Sequence, residues 1–439
     1  MHETLWYLIV GAVLMGMGVA TSALRHLPVS TAMIYLVLGV VLGPAGAGLL
    51  DLDLERDARL LREIVEIALL VSLFAIGLRL RVPLTDRLWH VPCRLGLLAM
   101  GLTVPLLAAC AMLALGLDWG PALLLAAILA PTDPVLAHDV QVHDPGDRDL
   151  VRFALSGEGG LNDGIALPFA LAGLALCGAP GTTHGLPPLS GAFALTALWG
   201  IAGGAAIGGG LGWITTKTIG WLRTRHAQAL GLEGFFALAL IVLSFGAAQF
   251  AHAFGFIATF AAGVAMRRVE HRASGDRAPR DVIGQIDSSD VVATEKHPDK
   301  AHAFMAESVL GFTIELERIA EALVMTMIGS VLMTLPGPLL TWRAASLAVV
   351  LFVAVRPLAV LVTLTGSRAT HAQRRLMAWF GIRGIGSFYY LLFALEHGPS
   401  AAVRPLAAPV LAVVSASVIA HGITATPLMN WYHRLQHRR

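Results

Sequence analysis

The feature that most constrains this chain is a succession of apolar stretches, each about long enough to cross a lipid bilayer. A transmembrane helix needs about 20 mainly apolar residues. Such stretches recur along all 439 residues, of which 56% are hydrophobic and only 14% charged. A soluble domain carries about 25% charged residues. The sequence therefore predicts an all-α polytopic membrane protein.

Thirteen spans can be placed along the sequence. They are residues 5–24, 29–50, 64–78, 92–116, 120–138, 150–177, 190–215, 230–250, 253–267, 318–336, 344–366, 376–395 and 404–428. Basic residues test this count, because cytoplasmic loops carry an excess of Lys and Arg. With the amino terminus outside and the carboxyl terminus cytoplasmic, 24 of the 31 basic residues fall on the cytoplasmic side and 5 outside. This asymmetry supports both the count and the orientation.

One segment departs from the apolar pattern. Residues 269–317 hold 15 charged residues in 49, which predicts a charged cytoplasmic loop, helical in part. It divides an amino-terminal membrane half, residues 1–268 with nine spans, from the last four spans in residues 318–439. A solvated connector is the favoured interpretation of the loop. Glu321, just after it, is expected to reach water.

Several classes of protein are disfavoured by the sequence. The three cysteines lie in apolar runs without CxxC spacing, so neither a disulfide framework nor a thiolate metal site is indicated. A formal net charge of +2 gives no basic field for nucleic acid. The chain has neither an HExxH motif nor a phosphate-binding GxxxxGK[ST] motif, and it shows no repeated filter motif of a channel. No cofactor is expected.

The fifth span contains Pro131-Thr132-Asp133-Pro134 in the middle of an apolar run. Pro134 cannot donate a helical hydrogen bond, and it disfavours helical backbone at Asp133. The helix is therefore predicted to break beside a carboxylate. Unwound backbone at membrane depth is tolerated where it faces protein or a water-filled cavity, and secondary transporters build cation sites from such breaks. A plain proline kink is the alternative.

The sixth span favours the cation site, because it adds Glu158, Gly159, Asn162 and Asp163. Glu158 and Asn162 share one face of a helix, and Gly159 and Asp163 share the neighbouring face. Carboxylate, amide and hydroxyl oxygens form a hard ligand set, which suits a small cation rather than a transition metal.

The second half of the chain has matching features. Arg356 lies mid-span, and Arg383 lies in the glycine-rich stretch 381–387, a second candidate break. Each buried arginine needs an anion, since arginine effectively never deprotonates. The breaks fall in spans five and twelve. Two segments seven spans apart have opposite orientations, which is the pattern of inverted repeats whose broken helices cross at the midplane.

With these residues the chain resembles the monovalent cation:proton antiporter 1 family, the NhaP-type sodium/proton antiporters. The resemblance covers nearly all of the chain except residues 269–317. It implies that Asp163 is the main carrier of cation and proton, with Asp133 beside it. Thr132 would be a further ligand, and Asn162 would link the sixth helix to the broken fifth. It also implies a structural salt bridge between Glu158 and Arg356, and support of the second break by Arg383.

Two positions bear on which cation is transported. Sodium-selective relatives often carry Ser where this chain has Gly159, so one side-chain ligand is missing. The region around Glu66 in span three is similar to the potassium-efflux branch as much as to the NhaP type. Glu66 is either an accessory ligand or a group that faces water.

The function implied is exchange of sodium or lithium for protons by alternating access. Potassium/proton exchange is the alternative, and a cation channel or an intramembrane enzyme is a distant one. Asn162 stands where the electrogenic branch has a carboxylate, which predicts electroneutral exchange. The resemblance also implies a homodimer in a bacterial inner membrane.

Overall fold

The structure is a computed structural model that describes residues 11, 15, 16, 30–136, 138–183, 185–188, 190–228, 230–284, 291–335 and 341–437. These residues contain helices and no strand. The main helices are α1 (Thr31–Leu42), α2 (Ala58–Arg79), α3 (Arg87–Leu115), α4 (Trp119–Leu129), α5 (Leu150–Leu176), α6 (Gly191–His226), α7 (Glu233–Phe250), α8 (Gly255–Ser274), α9 (Ala301–Leu332), α10 (Trp342–Thr363), α11 (His371–Trp379), α12 (Ile385–His397) and α13 (Ser400–His437). The short helices Pro279–Ile283 and Val291–Lys296 lie between α8 and α9.

Every predicted span from the second onward coincides with a helix or, for the twelfth, with the pair α11 and α12. The first span falls almost wholly outside the described residues. Among the described helices, six are long and apolar enough to cross a bilayer, and α1 and α4 are shorter apolar helices. The all-α polytopic fold is confirmed.

Short polar side chains mark where several helices begin. Ser30, Ser190 and Thr341 each accept a hydrogen bond from a backbone N–H in the first turn of α1, α6 and α10. Asp149 does the same for α5 and accepts two such bonds. These caps satisfy N–H groups that have no partner within the helix.

The helices form two packed bundles. In the first, α1 and α2 pack on α9, while α8 packs on α2, α6 and α7. In the second, α4 and α5 pack on each other and on α3, and α10–α13 surround them. Contacts of α12 with α2, and of α8 with α5, join the bundles. Each bundle therefore draws helices from both halves of the sequence.

A local irregularity repeats between the halves. The fourth span is π-helical over Arg94–Ala99, and the eleventh is π-helical over Leu351–Val355. In each half the following span is the one that breaks, at residues 130–133 and 380–384. Because these spans are seven apart, the matching irregularities are those expected of two inverted repeats.

The ends of the charged segment 269–317 differ from the soluble loop predicted. Helix α8 continues to Ser274, and α9 already begins at Ala301, so the boundaries placed at 268 and 318 lie inside helices. Glu270 is fully buried and pairs with Arg81 at 2.8 Å. Glu317 is also buried and pairs with Arg79. These charges are neutralised in pairs within the protein, which composition alone does not reveal.

Candidate functional site

The two helix breaks lie against each other in the second bundle. Helix α4 ends at Leu129, and α12 begins at Ile385. The N–H of Asp133 in the first break donates to the carbonyl of Ile382 in the second, at 2.8 Å. In return, Nε of Arg383 donates to the carbonyl of Leu129, at 2.7 Å. Each break thus satisfies backbone groups of the other.

Arg383 donates hydrogen bonds to backbone carbonyl groups at both breaks. Its side chain is fully buried and also donates to the carbonyl of Gly381, while its own N–H donates to Ser417 Oγ at 2.8 Å. The carboxyl end of a helix carries partial negative charge. The guanidinium at the end of α4 therefore opposes that charge. The predicted supporting residue lies in the break.

Asp133 faces the amino-terminal end of α12. Its Oδ2 accepts from the N–H of Ile385 at 3.3 Å, and its Oδ1 accepts from the N–H of Val135 at 3.1 Å. The amino end of a helix carries partial positive charge, which stabilises a nearby anion. Pro131 lies in the unwound stretch, and Pro134 begins a short 3₁₀ helix, Pro134–Leu136. The predicted proline-flanked break is therefore present.

Asn162 joins α5 to the first helix break. Its Nδ2 donates to Thr132 Oγ1 at 2.7 Å, across a contact in which both residues are buried. The link expected between the sixth helix and the break is therefore formed. The Oδ1 of Asn162 has no hydrogen-bond partner among the described residues.

Asp163 lies next to the first turn of α12, and its side chain is only 5% exposed. Its Oδ1 is buried without a hydrogen-bond partner in the described part of the chain. Gly386 provides the room for it, because a Cβ at that position would lie 2.6 Å from this oxygen. The hydroxyl of Tyr390, one turn further along α12, donates to the backbone carbonyl of Asp163.

These contacts leave side-chain oxygen atoms without partners in the described part of the chain on two adjacent residues of α5. An unsatisfied buried polar atom is costly, and native proteins rarely retain one without a functional reason. The free Oδ1 atoms of Asp163 and Asn162, on adjacent residues, meet the chemical requirement of a hard cation or a proton. A cavity of only about 10 Å³ reaches Thr132 between the breaks, room for about one water molecule.

Glu158 and Arg356 form a two-pronged ion pair beside this site. Arg356 Nη2 donates to Oε2 at 2.8 Å, and Nη1 donates to Oε1. Both side chains are buried, and Arg356 also donates to the carbonyl of Met377 in α11 at 3.1 Å. The pair therefore connects α5, α10 and α11.

The structure also places Gly159 and Glu66, the two residues that the sequence relates to the choice of cation. Gly159 is buried in α5 and offers no side-chain oxygen. Glu66 is paired with Arg62 at 3.0 Å and accepts from the hydroxyl of Tyr389 at 3.2 Å. Glu66 is thus engaged in an ion pair on α2 and has no hydrogen bond to Asp133 or Asp163.

Sequence reasoning placed Glu321 wrongly and missed His421. Glu321 was expected to reach water, but it is 7% exposed, and the hydroxyl of Thr31 donates to it at 2.9 Å. The error arose because α9 begins at Ala301, well before the predicted span, so Glu321 lies inside the helix rather than near its end. His421 is fully buried and lies within hydrogen-bond distance of the Trp379 carbonyl, at 3.0 Å. A histidine in the middle of the last apolar run was the available signal.

Comparisons with known proteins agree with this architecture. A family model described as "Sodium/hydrogen exchanger, transmembrane" matches residues 9–431. Na(+)/H(+) antiporter 2 of Zygosaccharomyces rouxii is 30% identical over 228 residues, which is 50% of this chain and 27% of that protein. The chain therefore spans only about a quarter of that relative's length.

Two solved structures of the sodium proton antiporter MjNhaP1 from Methanocaldococcus jannaschii have the same fold. One, at pH 8, has a TM-score of 0.70 at 18% identity and covers 98% of this chain and 99% of that one. The other, from electron microscopy, has a TM-score of 0.70 at 17% identity and covers 97% of each. The fold predicted from the paired breaks is confirmed, and the chain belongs to the sodium/hydrogen exchanger family of integral membrane proteins.

Proposed function

We propose that this protein is a secondary transporter that exchanges a monovalent cation, sodium or lithium, for protons. The observation that carries the proposal is the pair Asp133 and Asp163, two buried carboxylates where the helix breaks cross. The same oxygen atoms can hold either a proton or a dehydrated cation, so the two compete for one site. The names of the similar antiporters agree with this chemistry.

In this proposal, Asp163 carries the cation and the proton. Its Oδ1 has no competing partner among the described residues, whereas both oxygens of Asp133 accept backbone N–H groups. Asp133 then supplies the second charge and an anchor on the break. Thr132 supplies its hydroxyl or carbonyl, and Asn162 positions Thr132 through their hydrogen bond.

The remaining side chains support this site. Glu158 and Arg356 neutralise each other and fix α5 against α10. Arg383 stabilises the break. Alternating access follows if the second bundle, which holds the site, moves against the first. We place the protein as a homodimer in a bacterial inner membrane, with the amino terminus outside and the carboxyl terminus cytoplasmic.

The proposal is tested by flux in proteoliposomes. Full-length protein is reconstituted with a pH-sensitive dye, and external sodium, lithium, potassium or choline is added across a range of pH. Coupled exchange predicts saturable proton movement with sodium or lithium that reverses when the gradient is reversed. Potassium as the best substrate would favour the potassium/proton alternative. Cation movement without proton movement would indicate a channel and contradict the proposal.

A further inference from the structure

A cavity of about 350 Å³ lies at one end of the second bundle, away from the helix breaks. Its walls come from three elements: the start of α3, the start of α5 at Leu150, and the turn between α10 and α11. A volume of this size falls in the range of small-molecule sites. The proposed orientation puts this end of the bundle at the cytoplasmic membrane surface.

The walls of the cavity are strongly basic. Arg87, Arg94 and Arg368 line it, together with His90. None of these arginines forms an ion pair with a carboxylate of the described residues. The one acidic residue in the wall, Asp86, is already matched by Arg148 at 2.5 Å, and its other oxygen caps the N–H of Leu88. The cavity therefore has an excess of positive charge.

The backbone around the cavity is held in place. Arg94 Nη1 donates to the carbonyl of Thr365 at 3.1 Å, which ties α3 to the turn that follows α10. Arg374 donates to the carbonyl of Ser367 at 2.9 Å. Gly366 allows this turn, since its φ is +70°. The arginines thus extend from helix α3 and from a turn that is fixed by hydrogen bonds.

One polar atom in the wall lacks a partner. The Oγ of Ser367 is buried and makes no hydrogen bond within the described residues, although Ser367 lines the cavity. The cavity thus combines a hydroxyl group with several guanidinium groups. Phosphate oxygens accept hydrogen bonds from both kinds of donor, and guanidinium binds phosphate in a two-pronged geometry.

The surroundings favour a ligand that also has an apolar part. Leu97 and Leu98, one turn beyond Arg94, are 43% and 58% exposed. Leu361 and Val362, just before the turn, are 44% and 50% exposed. In a membrane protein these are lipid-facing residues. Basic pockets between transmembrane helices at the cytoplasmic side bind anionic headgroups.

We propose that this cavity binds the phosphate group of an anionic ligand, and that the ligand is the headgroup of a membrane phospholipid. The arginines hold the phosphate, Ser367 donates to it, and the acyl chains lie along the exposed leucines. Bound lipid would bridge α3, α5 and the α10–α11 turn, all within the bundle that holds the candidate site. This inference does not depend on which cation is exchanged.

The test uses purified full-length protein, freed of lipid in a neutral detergent. Short-chain phosphatidylglycerol, short-chain phosphatidylcholine, glycerol phosphate and inorganic phosphate are added separately. Binding is followed by native mass spectrometry and by the unfolding temperature. We expect one phosphatidylglycerol to bind tightly and to raise the unfolding temperature, and phosphatidylcholine to do neither.

The double variant Arg87→Gln/Arg368→Gln should bind phosphatidylglycerol about tenfold more weakly or worse. Both arginines are exposed, so the variant should fold, and its unfolding temperature without lipid checks this. Arg375→Gln is the matched control, because Arg375 is also exposed near the same end but does not line the cavity. Ser367→Ala should weaken binding by a smaller factor.

Unchanged affinity in the double variant, or equal stabilisation by phosphatidylcholine, would overturn the proposal. Equal stabilisation by glycerol phosphate or inorganic phosphate, lost in the double variant, would support the phosphate site but assign it to a soluble anion rather than to lipid.

Discussion

At the scale of single residues, the two carboxylates of the site have different surroundings. Asp133 accepts hydrogen bonds from the backbone on both oxygens, while Oδ1 of Asp163 accepts none from the described residues. A ligand that must be bound and released in every cycle is better held by the group with fewer fixed partners. Asp163 is therefore the residue whose loss transport should not survive.

Asp163→Asn is expected to abolish cation-dependent proton flux, because an amide neither titrates nor balances the charge of a cation. Asp163→Ala should be equally inactive. Both variants should fold, since Oδ1 of Asp163 makes no hydrogen bond that would be lost. The measurement is flux in proteoliposomes, with the unfolding temperature as a check on folding.

Asp118→Asn is a matched control for this loss. Asp118 precedes α4, is exposed, and makes no capping hydrogen bond through its side chain. The same change of charge there should leave flux unaltered. Sodium-driven flux in Asp163→Asn comparable to that of Asp118→Asn would show that the carrier lies elsewhere.

Substituting either partner of the Glu158–Arg356 ion pair is expected to lower the stability of the protein rather than to remove a cation ligand. Glu158→Gln or Arg356→Gln leaves the other charge buried and unpaired, which costs about 3–5 kcal/mol. Each single variant should therefore unfold at lower temperature than Asp163→Asn. The double variant removes both charges and should be more stable than either single one.

A double-mutant cycle measures this coupling from unfolding in detergent. The two single losses adding up in the double variant would mean that the pair contributes no interaction energy. In that case the carbonyl of Met377, which also accepts from Arg356, would account for the effect of the Arg356 variant.

At the scale of helices, the close approach of α12 to α5 depends on missing side chains. A Cβ at Gly386 would lie 2.6 Å from Asp163 Oδ1, and one at Gly384 would lie 3.1 Å from Asp133 Oδ2. The first distance is shorter than real contacts allow. The amino end of α12 therefore lies beside both carboxylates only because these positions are glycine.

Gly386→Ala is expected to raise the sodium concentration for half-maximal flux by about tenfold or more, because the methyl group occupies the space beside the proposed ligand oxygen of Asp163. Gly209→Ala in α6 is the control, since a Cβ there meets nothing within 4 Å. Alanine in a helix is favoured over glycine by about 1 kcal/mol, so the control should be at least as stable as the wild type. Normal sodium affinity in Gly386→Ala would contradict the assigned geometry.

The sequence predicted some of these elements better than others. Pro131 and Pro134 fix where α4 must stop, and the glycines around Arg383 indicated the second break. The π-helical stretches Arg94–Ala99 and Leu351–Val355 gave no comparable signal, because they depend on how α3 and α10 pack. The contact of Tyr390 with Asp163 depends equally on tertiary structure.

At the scale of the whole molecule, the proposed exchange requires motion between the bundles that moves the candidate site from one side of the membrane to the other. Helices α2 and α12 meet across the division, where Arg62 on α2 pairs with Glu396 on α12 at 2.5 Å. Alternating access requires such contacts to change. The charge that moves with the second bundle then decides whether voltage drives exchange.

We predict electroneutral exchange. Asn162 removes one titrating group from the site, and if Asp133 keeps one protonation state, Asp163 trades one proton for one cation. The carrier then has the same net charge in both directions. A membrane potential contributes about 2.3 kcal/mol for each net charge moved across 100 mV. Because no net charge moves in one-for-one exchange, the potential should not shift the exchange equilibrium.

Flux in proteoliposomes with and without a valinomycin-clamped potential tests this, with sodium as substrate and potassium setting the voltage. Apparent sodium affinity should also fall as pH falls, since protons compete for Asp163. An equilibrium sodium gradient that moves with voltage would contradict one-for-one exchange and point to Asp133 or Glu66 as a second proton carrier.

The assembly of the bundles was only partly predictable. Apolar run lengths were enough to locate the helices, and basic residues gave the proposed orientation. The prediction of a solvated loop for the charged segment 269–317 was wrong at its ends, because Glu270 and Glu317 are buried in ion pairs with Arg81 and Arg79. Partners that are about 190 and 240 residues away along the chain cannot be paired from one sequence.

The reciprocal hydrogen bonds between the two breaks have a consequence for biosynthesis. The N–H of Asp133 and the carbonyl of Leu129 find their partners only at Ile382 and Arg383, some 250 residues later in the chain. A ribosome reaches those partners long after α4 has been made. Until then, the polar backbone groups of the first break have no partner in the second break, and they must be hydrogen-bonded by water or by the insertion machinery. We therefore expect chains translated from messenger RNA truncated before the second break to be degraded by quality-control proteases.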